Sequence, residues 1–161
     1  MTPPRIRPLT EADLDAVVAL VASLKQHGSP TRGTAADAAT LREAFLRAPT
    51  GHLLVADDAR GPLGYVTLHT TYETEFAARG FYIGDLYVRP EARRSGLGRA
   101  LLAAAARLAR EEGGSFLWWT ARPGNAAAHA FYRALGAEDE PIRAFALTHD
   151  AFDRLASDPA A

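Results

Sequence analysis

Cysteine is absent from the 161 residues. That removes disulfide bonds, thiolate nucleophiles and cysteine-ligated zinc together, and leaves the fold to packing. Lysine is nearly absent as well: Lys25 is the only one, and the remaining basic side chains are arginine, a bias of base composition to which we assign no function. Neither sign of charge dominates, since the formal net charge is −1. The chain therefore has no general attraction for nucleic acid or an anionic membrane, and any anion site must be local. No apolar run approaches the ~20 residues that span a bilayer. The N-terminal "MTPPRIRPLTEADL" has neither the apolar stretch of a signal peptide nor the character of an Arg/Ser-rich presequence. A cytoplasmic protein without nucleic-acid or membrane partners is expected. The five histidines show no ligand spacing, so no metal is expected. The length suits one domain over residues 1–161.

What is present follows a regular order. "RIRPL" reads as an opening strand. Thr10 caps a helix over about 11–25, with Asp13 three residues on and Leu14, Val17, Val18, Val21 and Leu24 at helical spacing. "QHGSPTRGT" is loop chemistry, and "AADAATLREAFLRA" is a second helix ending before Pro49. "HLLVADD", "GPLGYVTLHTTYE" and "GFYIGDLYV" are β-branched and aromatic runs separated by turn residues, as in consecutive antiparallel strands. A helix runs from Leu97 to about Glu112, Gly113 and Gly114 stop it, and "SFLWWTA" resumes as a strand. Asn125 and Gly136 cap a further helix. A last strand near "IRAFALT" and a short helix near "HDAFDRLA" follow. The predicted fold is mixed α/β, a sheet with helices on its faces.

The chemistry concentrates where the third of those strands turns into the long helix. A helix N-terminus offers unpaired N–H groups and positive dipole, Gly96 and Gly98 let the backbone approach an anion, and Arg93, Arg94 and Arg99 add charge. Two nucleotide loops do not fit. A Walker loop needs Gly-Lys-Ser/Thr, and Gly98-Arg99-Ala100 stands there. A dinucleotide fingerprint from Gly96 puts Leu101 at its third small position and starts eight residues after Val88.

Arg93-Arg94-Ser95-Gly96-Leu97-Gly98 does satisfy Arg/Gln-x-x-Gly-x-Gly/Ala between a strand and a helix, and "NAAAHAFYRALGA" supplies Asn125, Ala128, Phe131, Tyr132 and Gly136 in register. With both blocks the chain resembles the GNAT superfamily of N-acetyltransferases, the diamine (spermidine/spermine) branch in particular. The resemblance implies a mostly antiparallel central sheet splayed between strands 4 and 5, with helices on both faces. It implies acetyl-coenzyme A as cosubstrate: Leu86, Tyr87 and Val88 pairing with the pantetheine, residues Arg93 to Arg99 cradling the pyrophosphate, and Asn125 and Ala128 bordering the other side. It makes Tyr132 the proton donor to the departing thiolate. Homodimers are common among similar enzymes.

The acceptor side is less direct. In the diamine branch a Glu-Asp pair opens the central strand, and here the pair reads Gly84-Asp85, so the glutamate is missing. Strand alternation turns Asp85 to the opposite face unless a β-bulge intervenes. A second acidic position of the branch falls near Gly28, and Glu140 keeps a third. Other proton acceptors are His69, Glu73, Glu75 or an ordered water. Trp118 and Trp119 either line the amine pocket or pack under helices. The readings left open are transfer to a small amine, transfer to a protein N-terminus or lysine, and a non-catalytic acyl-coenzyme A-binding module.

Overall fold

The structure is a computed structural model that describes residues 4–25 and 35–158. The loop chemistry of "QHGSPTRGT" and the acidic position near Gly28 lie outside the described residues. These divide into two compact units, 4–25 with 35–120 in one and 121–158 in the other.

The first unit is a five-stranded sheet in the order β1-β2-β3-β4-β5. β1 (Arg5–Pro8), β2 (His52–Asp58), β3 (Gly61–Glu73) and β4 (Ala78–Val88) are antiparallel neighbours, as their turn-bounded runs predict. β5 (Phe116–Trp118) runs parallel to β4 because the long helix α3 (Leu97–Glu111) carries the chain back across the sheet.

Alternation assigns the faces. Leu53, Val55, Tyr65 and Tyr87 pack with Leu14, Val17 and Leu20 of α1 (Leu14–Lys25) and with Leu41 of α2 (Ala38–Arg42). A single turn of 3-10 helix, Glu11–Asp13, leads into α1, and a π-helical turn, Glu43–Arg47, continues α2. The intervening positions Leu54, Ala56, Val66, Leu68, Phe81 and Ile83 are buried too, on the face that α3 covers with Leu97, Leu101, Leu102, Ala105 and Ala109. That spacing is one helical stripe. Gly113, at φ +80°, and the Gly114 N–H bond to the Ala109 carbonyl close the helix in the way its two glycines predict.

The second unit holds α4 (Ala126–Ala134) and α5 (His149–Ala156). Here one expectation is overturned. The "IRAFALT" stretch forms no strand and pairs with no sheet among the described residues. β propensity expresses a fit to a pleated, half-buried surface, and Ile142, Phe145 and Leu147 meet none: they are 58, 90 and 53% exposed.

One polar cluster ties the start of the chain to the sheet. Arg7 on β1 donates to both carboxylate oxygens of Asp13 (2.7 and 2.8 Å) and to Asp57 on β2 (2.9 and 2.6 Å), while Asp13 also accepts from the N–H and hydroxyl of Thr10. Asp13 is 5% exposed. The Arg7 hydrogen bond, first among the causes, holds its carboxyl well below the usual range despite burial. A folded value below the unfolded one makes this contribution complete above about pH 4 and lost as the pH falls further. Asp13→Ala is expected to cost about 3 kcal/mol in a urea titration at pH 7, with the deficit shrinking as the pH is lowered toward 3.

Candidate active site

Three local arrangements in the first unit carry chemistry, and each follows from how β4 is built. The first is its parting from β5. The two strands pair at Gly80–Phe116, Phe81–Leu117 and Tyr82–Trp118, after which β4 continues to Val88 with β3 as its one sheet neighbour among the described residues. Gly80 is required at the first of these contacts, since a Cβ there would stand 2.3 Å from the Phe116 ring. The free edge includes Leu86, Tyr87 and Val88. Tyr87 turns its ring into the α1 face at 6% exposure, so what it offers along that edge is its main chain.

The second is the loop that follows. Pro90–Ala92 form a 3-10 turn, Arg94 and Gly96 take positive φ (+60° and +86°), and α3 begins at Leu97. No turn or cap hydrogen bond among the described residues is donated by the main-chain N–H of residues 94–99. A helix start leaves such donors free by geometry. Nothing lies within 4 Å of where a Cβ on Gly96 would stand, so the backbone there is open to approach. Leu97 anchors the helix in the core at 4% exposure. Arg93 ties the loop back by donating from Nε to the Val88 carbonyl at 3.0 Å, its guanidinium 5.9 Å from the Tyr87 ring centre. The Ser95 hydroxyl donates to the Ala92 carbonyl at 2.7 Å. Arg94 and Arg99 are exposed. The donors fit a phosphate-bearing ligand, and the open strand edge fits an extended amide chain.

The third is a bulge. Val66 pairs with Leu86 and Leu68 with Ile83, so Thr67 on β3 faces two residues, Gly84 and Asp85, on β4. The Asp85 N–H finds the Thr67 hydroxyl at 2.8 Å in place of a ladder carbonyl. The extra residue interrupts alternation. Asp85 consequently falls on the α1 face with Tyr87, and a Cβ on Gly84 would point at the Thr67 hydroxyl (2.9 Å) and the His69 ring (3.4 Å). Burial, opposed in part by the nearby His69, raises the Asp85 carboxyl above its ordinary value. Sequence reasoning missed Thr67; the signal was a lone hydroxyl in the apolar middle of a strand, and it is 5% exposed.

The bulge brings Asp85 and His69 together and leaves the other acidic candidates elsewhere. Glu73 is four residues beyond His69 toward the far end of β3, and Glu75 is exposed in the β3–β4 turn. Trp118 packs tilted against Tyr82 with 4.7 Å between ring centres, and Trp119 lies just past the end of β5. In the second unit, Asn125 caps α4 by accepting from the Ala128 N–H at 3.2 Å. Tyr132 sits one turn further along α4 beside Phe131, and burial raises its phenol above the ordinary value. Glu140 is exposed. Among the described residues no three His, Asp or Glu side chains gather as a metal group would require, and no helix is long and apolar enough to cross a membrane.

β4 and β5 part after three paired residues, as the resemblance implies, and a glycine-bearing loop leads from β4 into α3. Residues 18–137 match the Acetyltransferase (GNAT) family. The chain is 30% identical to a thialysine N-epsilon-acetyltransferase of Bos taurus over 143 residues, covering 83% of this chain and 84% of that one. It is 34% identical to an L-ornithine N5-acetyltransferase of Arabidopsis thaliana over 97 residues, 60% of this chain and 40% of that one. An integron cassette protein of V. cholerae has the same fold, with a TM-score of 0.78 at 21% identity over 98% of this chain and 100% of that one. The chain therefore belongs to the GNAT acetyltransferase family, and it is an enzyme.

Because Thr67 is buried and its hydroxyl receives the Asp85 N–H, Thr67→Val leaves that donor unsatisfied. We expect a loss of about 1–3 kcal/mol in denaturant unfolding, with Thr67→Ser losing much less.

Proposed function

We propose that the enzyme moves the acetyl group of acetyl-coenzyme A to the primary amine of a small molecule by direct attack. The observation that carries this reading is the β4 edge, which has no strand partner from Ile83 to Val88 among the described residues, together with the loop that follows it, whose main-chain N–H groups at 94–99 donate no turn or cap hydrogen bond there. When bound, the coenzyme supplies an acyl thioester. Main-chain groups of Leu86, Tyr87 and Val88 hold its amide arm, and a β4 N–H draws charge onto the acyl oxygen. The backbone of Ser95, Gly96, Leu97 and Gly98 holds the pyrophosphate, with Arg93, Arg94 and Arg99 around it. Asn125 and Ala128 keep the bordering role their sequence block implies.

Tyr132 gives a proton to the departing sulfur. A phenol kept above its ordinary value by burial stays protonated through neutral pH, and its exchange with a thiolate near pKa 8.5 is of modest cost. A small acceptor is supported by the two relatives above, whose names specify side-chain nitrogens of amino acids. The catalytic unit in this reading is one domain over residues 1–161, acting in the cytoplasm.

Thiol release from acetyl-coenzyme A is the direct assay, run across diamines, amino acids with side-chain amines, and peptides. Turnover with the small amines is expected; turnover confined to peptides overturns the small-molecule reading, and binding without any turnover overturns transfer itself. Gly96→Val forces a β-branched residue into positive φ and puts methyl groups where the anion approaches. It is expected to raise the coenzyme Kd at least about tenfold in calorimetry. Tyr132→Phe is expected to lower kcat by about tenfold or more with the coenzyme Kd little changed.

A further inference from the structure

We infer that His69 receives the proton of the acceptor amine, on the α1 face of the β4 bulge, with the Asp85 carboxylate beside it to balance the charge that results. The inference rests on the acetyl-transfer reading above and supplies its missing acceptor-side group.

Geometry carries it. The Cβ direction at Gly84 leads to His69: a Cβ there would stand 3.4 Å from both Nε2 and Cδ2 of the ring. Where a glutamate side chain would have grown from the bulge there is none, and Nε2 faces that space. The ring is held from three sides. Its Nδ1 is 3.4 Å from the Thr50 carbonyl oxygen, Gly51 is so close that a Cβ would stand 2.7 Å from Nδ1, and the Phe45 ring lies 6.2 Å away between centres. A carbonyl oxygen only accepts, so the proton of the neutral ring belongs on Nδ1 and the lone pair on Nε2. The same contact then supports the doubly protonated ring, as a second proton arrives at Nε2.

Asp85 complements this. No hydrogen bond or ion pair reaches its carboxylate among the described residues; its N–H is the group that Thr67 holds. The His69 ring is near enough to oppose part of the burial that raises the Asp85 carboxyl. Tyr65 shares this face and adds no charge, because burial first and Asp85 second hold its phenol well above the ordinary range. Phe45 and Thr50, which approach from the segment after α2, are uncharged.

The chemistry needs such a group. An alkyl ammonium has a pKa near 10.4, so at pH 7.5 roughly one molecule in a thousand is neutral. To become an amide the ammonium loses two protons. One passes to Nε2 before attack and later to solvent, and its electron pair, now free on nitrogen, forms the bond to the acyl carbon. The C–S bond breaks with its electrons on sulfur, which takes a proton, and the second nitrogen proton passes to solvent.

The test compares wild type, His69→Gln and His52→Gln from pH 6.5 to 10 with a saturating small amine. His52 is a control on the opposite face, bonded to Glu112 at 3.0 Å. His69→Gln is expected to lower kcat about 100-fold at pH 7.5, with the deficit narrowing toward pH 10 as the amine loses its proton unaided, while the coenzyme Kd and the His52→Gln rate stay at wild-type values. A merely structural role predicts a deficit independent of pH. Equal rates for His69→Gln and wild type at every pH overturn the assignment alone, whereas a wild type that turns over no amine overturns the acetyl-transfer reading and the assignment with it. Should His69→Gln fail to fold, nitrogen NMR of the wild-type imidazole decides: a proton on Nδ1 in the neutral ring is expected, and one on Nε2 overturns the proposal.

Discussion

Two residues on β4 stand opposite one on β3, and the hydrogen bond from the Asp85 N–H to the Thr67 hydroxyl makes that mismatch tolerable. Without it the Asp85 N–H would lack its acceptor; an even register at this point would exchange the two faces for every residue beyond. Tyr87 would leave the α1 core, and Asp85 would turn toward α3. The bulge therefore settles two matters with one bond. It keeps the aromatic anchor at the end of β4 buried, and it puts a carboxylate and an imidazole on the same side of the sheet. It also bends and twists the strand at the point where its partnership with β5 has ended.

That parting has a steric origin. Gly80 lets the Phe116 ring come close enough for three residues of parallel pairing, and nothing comparable follows on β4 after Tyr82. α3 then draws the chain across the opposite face through a stripe of leucines and alanines, and among the described residues no turn or cap hydrogen bond is donated by the main-chain N–H groups at its start. The loop between is held by Arg93 on the Val88 carbonyl and by Ser95 on the Ala92 carbonyl. Side chains do the bracing there, which leaves the main-chain N–H groups free.

Most of this fold was legible from pattern because its signals are local. The capping pair Thr10 and Asp13, the positive-φ glycines and the alternating strands each state a backbone requirement within a few residues. The loop before α3 was legible for the same reason, since glycines ahead of a helix start state a local backbone requirement. The acceptor side depends on register between two strands, and register is not written in either strand alone. Gly84 could be read as a glutamate lost, but not as the space that His69 faces, because His69 is fifteen residues away in sequence. The misjudged strand near Ile142 fails in the mirror sense: its residues carry the propensity, and no described strand provides the edge that propensity needs.

The open edge of β4 has a further consequence for the protein as a folded object. A strand with one side unpaired among the described residues is a template on which another chain can add, and blunting it with a charge or a proline would alter the edge proposed above to hold the coenzyme arm. Any molecule that pairs along residues 83–88 does the work of the absent neighbour, and binding to the native form alone stabilises it by mass action. Under the proposed function, the concentration of the ligand would then set how much of this edge is presented to other chains.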